Sequence, residues 1–176
     1  MTVRADQASR EVLLDELHEL LSETQPSALD RALRLLATRA HFREELRKKL
    51  LTKGHDEAEV DVALARLAEL GHLDDLRLAS EEAERLRSRK GLARRGVAAE
   101  LRRKGAEGAA IDAALGEPAD DRARALEAAR RWTRTHRADA AALARHLDRK
   151  GYSRPEIYRV IRELGLEGND AAEVGE

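Results

Sequence analysis

The chain has 176 residues, of which 38% are charged, yet its net charge is only −1 and it contains no cysteine. The lack of cysteine excludes disulfide frameworks and thiolate metal sites, and no segment approaches the roughly 18 apolar residues of a membrane span. The N-terminus lacks the apolar run of a signal peptide, so we expect a cytoplasmic protein. Aromatic residues are only 2% of the chain, so we expect a core of Leu, Ala, Val and Ile, which suits close helix packing.

The first predicted element is a helix over residues 9–23, inside an acidic N-terminal extension that spans residues 1–26. Two roles for this helix stay open. It either caps the apolar face of the element that follows, or acts as an acidic arm over a basic groove. Ser27 is then expected to cap a helix that runs to about Arg39, and a further helix is expected from Phe42 to Lys53.

One pattern occurs three times, centred on Lys53-Gly54, Lys104-Gly105 and Lys150-Gly151. Apolar residues stand eight and four positions before each glycine, and six and ten positions after it. These residues are Leu46, Val97 and Leu143; Leu50, Leu101 and Leu147; Val60, Ile111 and Ile157; and Leu64, Leu115 and Ile161. The spacing predicts an all-α chain of three tandem three-helix repeats, in which the glycines end helices.

The predicted repeats span residues 27–73, 74–118 and 119–167, followed by a disordered tail over residues 168–176. Helix N-caps are expected at Asp56, at Asp74 or Asp75, and at Ser153, where Glu156 completes a capping box. The stripes expected to face the core are Leu29, Leu33 and Leu36; Val60, Leu64, Leu67 and Leu70; Leu76, Leu78, Ala79, Ala83 and Leu86; and Ala123, Leu126, Ala129 and Trp132.

Positive charge concentrates in residues 85–104, which hold nine bases and one acid, Glu100. The bases are Arg85, Arg87, Arg89, Lys90, Arg94, Arg95, Arg102, Arg103 and Lys104. Such a block can bind polyanions or acidic protein surfaces, and it can equally be a solvated pair of helix faces. The block contains no aromatic residue to stack on bases, so any direct contact with DNA should be weak, driven by phosphates and sensitive to salt.

No motif for catalysis or cofactor binding is present in the sequence. There is no GxxxxGK[ST] or GxGxxG segment, no HExxH or other metal-ligand spacing among the histidines, and no GxSxG serine. We therefore expect a binding protein rather than an enzyme, with no cofactor, no metal site, no small-molecule substrate and no membrane partner.

Several segments resemble the RecX family of regulatory proteins. The resemblance covers residues 28–165 and rests on four stretches: residues 32–39 with Glu45–Leu50 and Lys53-Gly54; residues 70–79 (LGHLDDLRLA); residues 96–105; and residues 147–153 (LDRKGYS). His72 and Leu78 replace the usual aromatics of the second stretch, and Phe42 takes a position that is usually small or polar.

The resemblance implies an elongated, curved stack of three-helix repeats that binds the RecA recombinase and the RecA–single-stranded DNA filament. It also implies that binding blocks filament extension, ATP hydrolysis and strand exchange, and so restrains recombination and the SOS response. On this reading the partner-binding residues are the basic block together with Arg130, Arg131, Arg134 and Arg137. Sequence-independent DNA binding that competes for strands, and an adaptor for another acidic protein, are the alternatives.

Overall fold

The computed structural model describes residues 26–116, 121–137 and 139–166, and every regular element within them is an α-helix. These helices are α1 (Ala28–Thr38), α2 (Arg43–Thr52), α3 (Glu57–Glu69), α4 (Asp75–Lys90), α5 (Arg94–Lys104), α6 (Gly108–Leu115), α7 (Arg122–Thr133), α8 (Ala140–Arg149) and α9 (Arg154–Glu163). The prediction of an all-α chain of three-helix repeats is confirmed over these ranges. The predicted helix over residues 9–23 and the predicted tail lie outside the described residues.

The described residues form two compact units. The first comprises the described parts of Met1–His41 together with Leu46–Leu73, and the second comprises Phe42–Glu45 and the described parts of Asp74–Glu176. The first unit has one hydrophobic core, formed by residues of α1, α2 and α3. The second unit has two cores, one formed mainly by α4, α5 and α6 and the other mainly by α7, α8 and α9.

The apolar residues that repeat with the three Lys-Gly pairs form these cores. Eleven of the twelve are buried, and the twelfth, Leu115, packs partly buried against the core of α4–α6. Gly54, Gly105 and Gly151 have φ values of 90°, 96° and 88°, as expected for glycines that end helices. The repeated pattern therefore encodes the scaffold, as the sequence predicted.

The predicted N-caps are also confirmed. Ser27 Oγ accepts a hydrogen bond from the backbone N–H of Asp30, and the Asp56 carboxylate accepts one from Glu59. Asp74 rather than Asp75 caps α4, since its side chain accepts from Arg77 N. Ser153 and Glu156 form the complete capping box at the start of α9. Each bond satisfies a backbone donor that has no partner within its own helix.

Four predicted core positions are wrong. Leu33 is 38% exposed on α1. Leu70 is 49% exposed because α3 ends at Glu69, and Leu76 is 56% exposed in the first turn of α4. Ala123 is exposed, and the buried face of α7 is instead formed by Ala125, Ala128 and Ala129. On this helix arginines and alanines alternate closely, so apolar periodicity alone does not define the buried face.

Phe42, which departs from the family pattern, is only 2% exposed and lies in the core formed mainly by α4, α5 and α6. Next to it, Asp75 Oδ1 accepts a hydrogen bond of 3.0 Å from the backbone N–H of Arg43. Asp121 does the same for α5: its Oδ2 lies 3.0 Å from the backbone N of Arg94. The N-cap residue of α5, Ala93, offers no side-chain acceptor of its own. In each of these two helices, the first backbone N–H is therefore capped by a carboxylate from a residue about thirty positions later in the chain. No local sequence rule predicts such a cap.

Gly96 and Gly151 allow α5 to approach the turn between α8 and α9. A Cβ on Gly96 would overlap the carbonyl oxygen of Lys150 and lie 3.1 Å from its carbon, and a Cβ on Gly151 would lie 2.7 Å from Gly96 Cα. At this contact the backbone N–H of Ala93 donates to the Lys150 carbonyl across 3.0 Å. The second glycine therefore does more than end a helix, because it also makes room for a neighbouring backbone.

Tyr152 is completely buried in the core of α7–α9, and its hydroxyl donates a hydrogen bond of 3.0 Å to the carbonyl of Gly91 at the end of α4. Burial, assisted by the nearby Asp121 charge, raises the pKa of Tyr152 to about 12. The ionised phenolate is therefore disfavoured in the folded chain compared with the unfolded chain, where Tyr titrates near 10.

We expect Tyr152→Phe to lower the free energy of unfolding by about 1 kcal/mol at pH 8, because the Gly91 carbonyl loses its donor. The Tyr152 contribution is complete below pH 10 and is lost as the pH rises from 10 toward 12, so the difference between wild type and variant should shrink over that window. Urea unfolding followed by circular dichroism measures both effects. Tyr158→Phe is the control, since Tyr158 is 66% exposed. A difference that stays constant up to pH 12 would contradict the assignment.

Candidate functional site

The thirteen basic residues predicted to bind a partner differ in exposure. Arg87, Arg94 and Lys104 are half-buried, and the other ten are exposed. The ten are Arg85, Arg89, Lys90, Arg95, Arg102, Arg103, Arg130, Arg131, Arg134 and Arg137. The exposed members are accessible to a partner, and their contacts within the chain separate them further.

Glu82, on the buried face of α4, forms ion pairs with two bases of the block. The residue is 9% exposed. Its carboxylate accepts hydrogen bonds of 2.8 and 2.5 Å from Arg85 and also forms an ion pair with Lys104. Burial favours the protonated carboxyl, but the hydrogen bonds from Arg85 and Lys104 outweigh it, so the pKa of Glu82 lies below its usual range. Part of the positive charge of the block is therefore neutralised inside the repeat.

Glu100 plays a similar part on α5. It accepts a hydrogen bond of 2.6 Å from Arg103 and lies 4.0 Å from the Lys90 ammonium. The hydrogen bond from Arg103 is the main reason that the pKa of Glu100 is lowered, with burial opposing it and the Lys90 charge assisting. These pairs are at the surface, so a strong anionic partner can replace them at small cost.

Arg94 has a structural role as well as a positive charge. Its guanidinium donates hydrogen bonds of 2.9 and 2.7 Å to the carbonyls of Leu115 and Gly116, at the end of α6. Arg87 also reaches α6, at 3.4 Å from the Ala114 carbonyl. These arginines satisfy helix C-terminal carbonyls that lack partners within the helix. Replacing Arg94 would consequently disturb the fold as well as the surface charge.

Five of the predicted arginines are exposed and form no ion pair within the part of the chain that the structure describes. They are Arg89, Arg102, Arg130, Arg134 and Arg137. By contrast, Arg95 lies 3.3 Å from Asp148 and Arg131 lies 2.9 Å from Glu127. An arginine without an internal carboxylate can donate all its N–H groups to a partner's carboxylate or phosphate. These five are the best candidates for partner contacts.

The structure brings one part of the basic block next to the bases of α7. Arg87 and Lys90 at the end of α4, and Arg131 on α7, line one pocket of about 530 Å³ together with Trp132. Trp132 also packs, partly buried, against the core of α7–α9. The predicted role of Trp132 in the apolar stripe is therefore confirmed only in part, because its side chain also lines this pocket.

No group of three or more His, Cys, Asp or Glu side chains is placed to hold a metal ion among residues 26–116, 121–137 and 139–166. Over the same ranges, no helix has the length and apolar character needed to cross a bilayer. Among the features that the described surface offers a partner are exposed positive charges and a pocket lined by both aromatic and basic side chains.

Comparison with known proteins gives the family. The sequence model of the RecX first three-helix domain matches residues 28–67. Regulatory protein RecX of Streptomyces coelicolor is 37% identical over 154 residues, which is 82% of this chain and 81% of that protein. Regulatory protein RecX of Pelodictyon phaeoclathratiforme is 33% identical over 150 residues, covering 82% of this chain and 93% of that protein.

The fold agrees with solved structures. The crystal structure of RecX from Lactobacillus salivarius superposes with a TM-score of 0.64 at 20% identity, covering 79% of this chain and 95% of that one. At this identity the likeness concerns the fold alone, and the sequence relatives carry the assignment. With those relatives matched over four fifths of its length, the chain belongs to the RecX family of regulatory proteins.

Proposed function

We propose that this protein binds the RecA recombinase–single-stranded DNA filament and inhibits its extension, ATP hydrolysis and strand exchange. By doing so it would restrain DNA repair by recombination and the SOS response. Membership of the RecX family supports the partner, and the observation that carries the proposal is the set of five exposed arginines without ion pairs in the described chain. They lie on the second and third repeats, where a filament surface of acidic side chains and phosphates would meet them.

The proposed action is by occupancy rather than catalysis. Arg89 and Arg102 belong to α4 and α5, and Arg130 lies on α7, so three of the five cations are held on helices, while Arg134 and Arg137 follow the end of α7. A helix backbone needs no further ordering when its side chains meet an anionic surface, and the summed positive field speeds the encounter. Binding along a filament would keep the next RecA subunit from adding at its end.

The test adds the purified protein to preformed RecA–single-stranded DNA filaments and follows ATP hydrolysis. We expect inhibition at ratios well below one copy per RecA subunit, because one bound molecule affects many subunits of a filament. No inhibition at any ratio would overturn the proposal.

A second candidate function is sequence-independent DNA binding that competes for strands, which the same unpaired arginines favour. It predicts tight DNA binding without RecA, and affinity that falls steeply with salt. An excess of free single-stranded DNA distinguishes the two. It should relieve inhibition by a competitor for strands, and it should leave inhibition by a filament-bound protein largely in place.

A further inference from the structure

The pocket beside Trp132 has features that filament binding does not require. It lies within the second compact unit, between the end of α4 and the helices α7 and α8, and has a volume of about 530 Å³. Five cationic side chains line it against two carboxylates, Glu84 and Glu127. This volume is within the range of small-molecule sites, which combine an apolar wall with a few polar groups.

Two of the cations have no carboxylate partner in the described chain. The Lys150 ammonium donates a hydrogen bond to the Lys90 carbonyl, and the Arg87 guanidinium donates one of 3.4 Å to the Ala114 carbonyl. Burial lowers the pKa of Lys150, and the charge of Arg131 lowers it further. Burial likewise lowers the pKa of His146, with Lys150 the next cause. The pocket is therefore a region of uncompensated positive charge, which a bound anion would relieve.

The same pocket contains a pair of stacked rings. The Trp132 and His136 ring centroids are 4.6 Å apart and their planes differ by 8°. The His146 ring centroid lies 5.7 Å from that of Trp132, and these two planes differ by 35°. Hydrogen-bond contacts from His136 Nδ1 to the Trp132 carbonyl (3.0 Å) and to Thr135 Oγ1 (2.9 Å) hold the imidazole in this position. A fixed aromatic stack is a surface on which another planar ring can pack.

Unpaired cations and a flat aromatic surface in one pocket match a ligand that is both anionic and planar. We propose that this pocket binds a nucleotide, with its base against the Trp132–His136 stack and its phosphate at Arg87 and Lys150. The nucleotide is either free or one unit of a single strand, since both present a base and a phosphate. The site needs no RecA, and it combines residues of the second and third repeats that are distant in the sequence.

The chain carries its own reporter, because Trp132 is its only tryptophan. The experiment titrates the full chain with dTTP, with a short oligo(dT) and with inorganic pyrophosphate, and follows quenching of Trp132 fluorescence. We expect saturable quenching by dTTP, by oligo(dT) or by both, and binding of pyrophosphate that is weaker by at least tenfold. Quenching by oligo(dT) alone assigns the site to a strand, and quenching by dTTP alone assigns it to a free nucleotide.

Variants separate the two halves of the site. Arg87→Gln should weaken nucleotide binding about tenfold through loss of a charged contact. His136→Ala, an exposed change that keeps the reporter, should weaken nucleotide binding and leave pyrophosphate binding unchanged. Arg159→Gln removes an exposed charge outside the pocket and should change neither. Circular dichroism checks that each variant is folded.

The proposal is overturned if no nucleotide quenches Trp132, if pyrophosphate binds as tightly as dTTP, or if Arg159→Gln weakens binding as much as Arg87→Gln.

Discussion

Replacing Gly96 by alanine is expected to destabilise the chain by about 2–3 kcal/mol. Inside an exposed helix this substitution normally stabilises, by up to about 1 kcal/mol, since alanine is the better helix former. Here the added Cβ would overlap the Lys150 carbonyl oxygen, and the two nearest atoms, the oxygen and carbon of that carbonyl, belong to the backbone. Backbone cannot rotate away as a side chain can, so the cost of overpacking exceeds the gain from the better helix propensity of alanine. Urea unfolding followed by circular dichroism measures the loss.

Gly108→Ala provides the matched control, because Gly108 also lies in a helix and a Cβ there would meet nothing within 4 Å. We expect no loss of stability for this variant, or a small gain. Gly151→Ala should cost at least as much as Gly96→Ala, since it adds strain at a φ of 88° to the clash with Gly96. Equal stabilities of the Gly96 and Gly108 variants would show that the two backbones are not in close contact.

Reversing the charges of Arg130, Arg134 and Arg137 together to glutamate is expected to abolish inhibition of RecA ATP hydrolysis while the helical content stays unchanged. The three side chains are exposed and form no ion pair among the described residues, so the change breaks no ion pair there. The three introduced glutamates would carry the same sign of charge as an acidic or phosphate-bearing surface, so they would repel that surface instead of binding it. The ATP hydrolysis assay on preformed filaments measures the effect.

The control for this triple variant reverses Arg145, Arg154 and Arg159, which are also exposed in the third repeat and lie outside the predicted binding set. Both triple variants change the net charge by the same amount, so a general charge effect would act on both. We expect the control to retain inhibition. If both lose it equally, the protein senses total charge rather than these three positions, and Arg89→Glu with Arg102→Glu would be the next pair to examine.

The local features of this fold could be predicted, because each depends on a few neighbouring residues. Ser27, Asp56 and Ser153 cap helices as their positions indicate, and the apolar residues around each Lys-Gly pair are in the cores. Leu70 was misplaced because apolar spacing continues for one residue beyond the end of α3. Ala123 was misplaced because an arginine-rich helix with small apolar residues gives little contrast between its faces.

The features that join distant parts of the chain could not be predicted. The sequence places Trp132 in an apolar stripe and finds no aromatic residue in the basic block, yet folding brings Trp132 into one pocket with Arg87 and Lys90. Similarly, nothing in the sequence indicates that Tyr152 bonds to Gly91, about sixty residues earlier. Which bases are paired internally also depends on tertiary contacts, as the role of Glu82 shows. The sequence therefore predicts which basic residues form the candidate site. The structure adds which of these residues are paired internally and which are exposed without an ion pair among the described residues.

The carboxylate of Asp121 has a consequence for how the chain is made. The helix that begins at Arg94 has no side-chain cap of its own, and its first N–H is satisfied by a residue that follows it by 27 positions. During synthesis, α5 would thus remain incompletely capped until the ribosome has released Asp121 and the start of α7 with it. The second repeat should reach its full stability only when the third has begun to emerge, so a nascent chain that stalls between them would expose an unfinished helix to proteases.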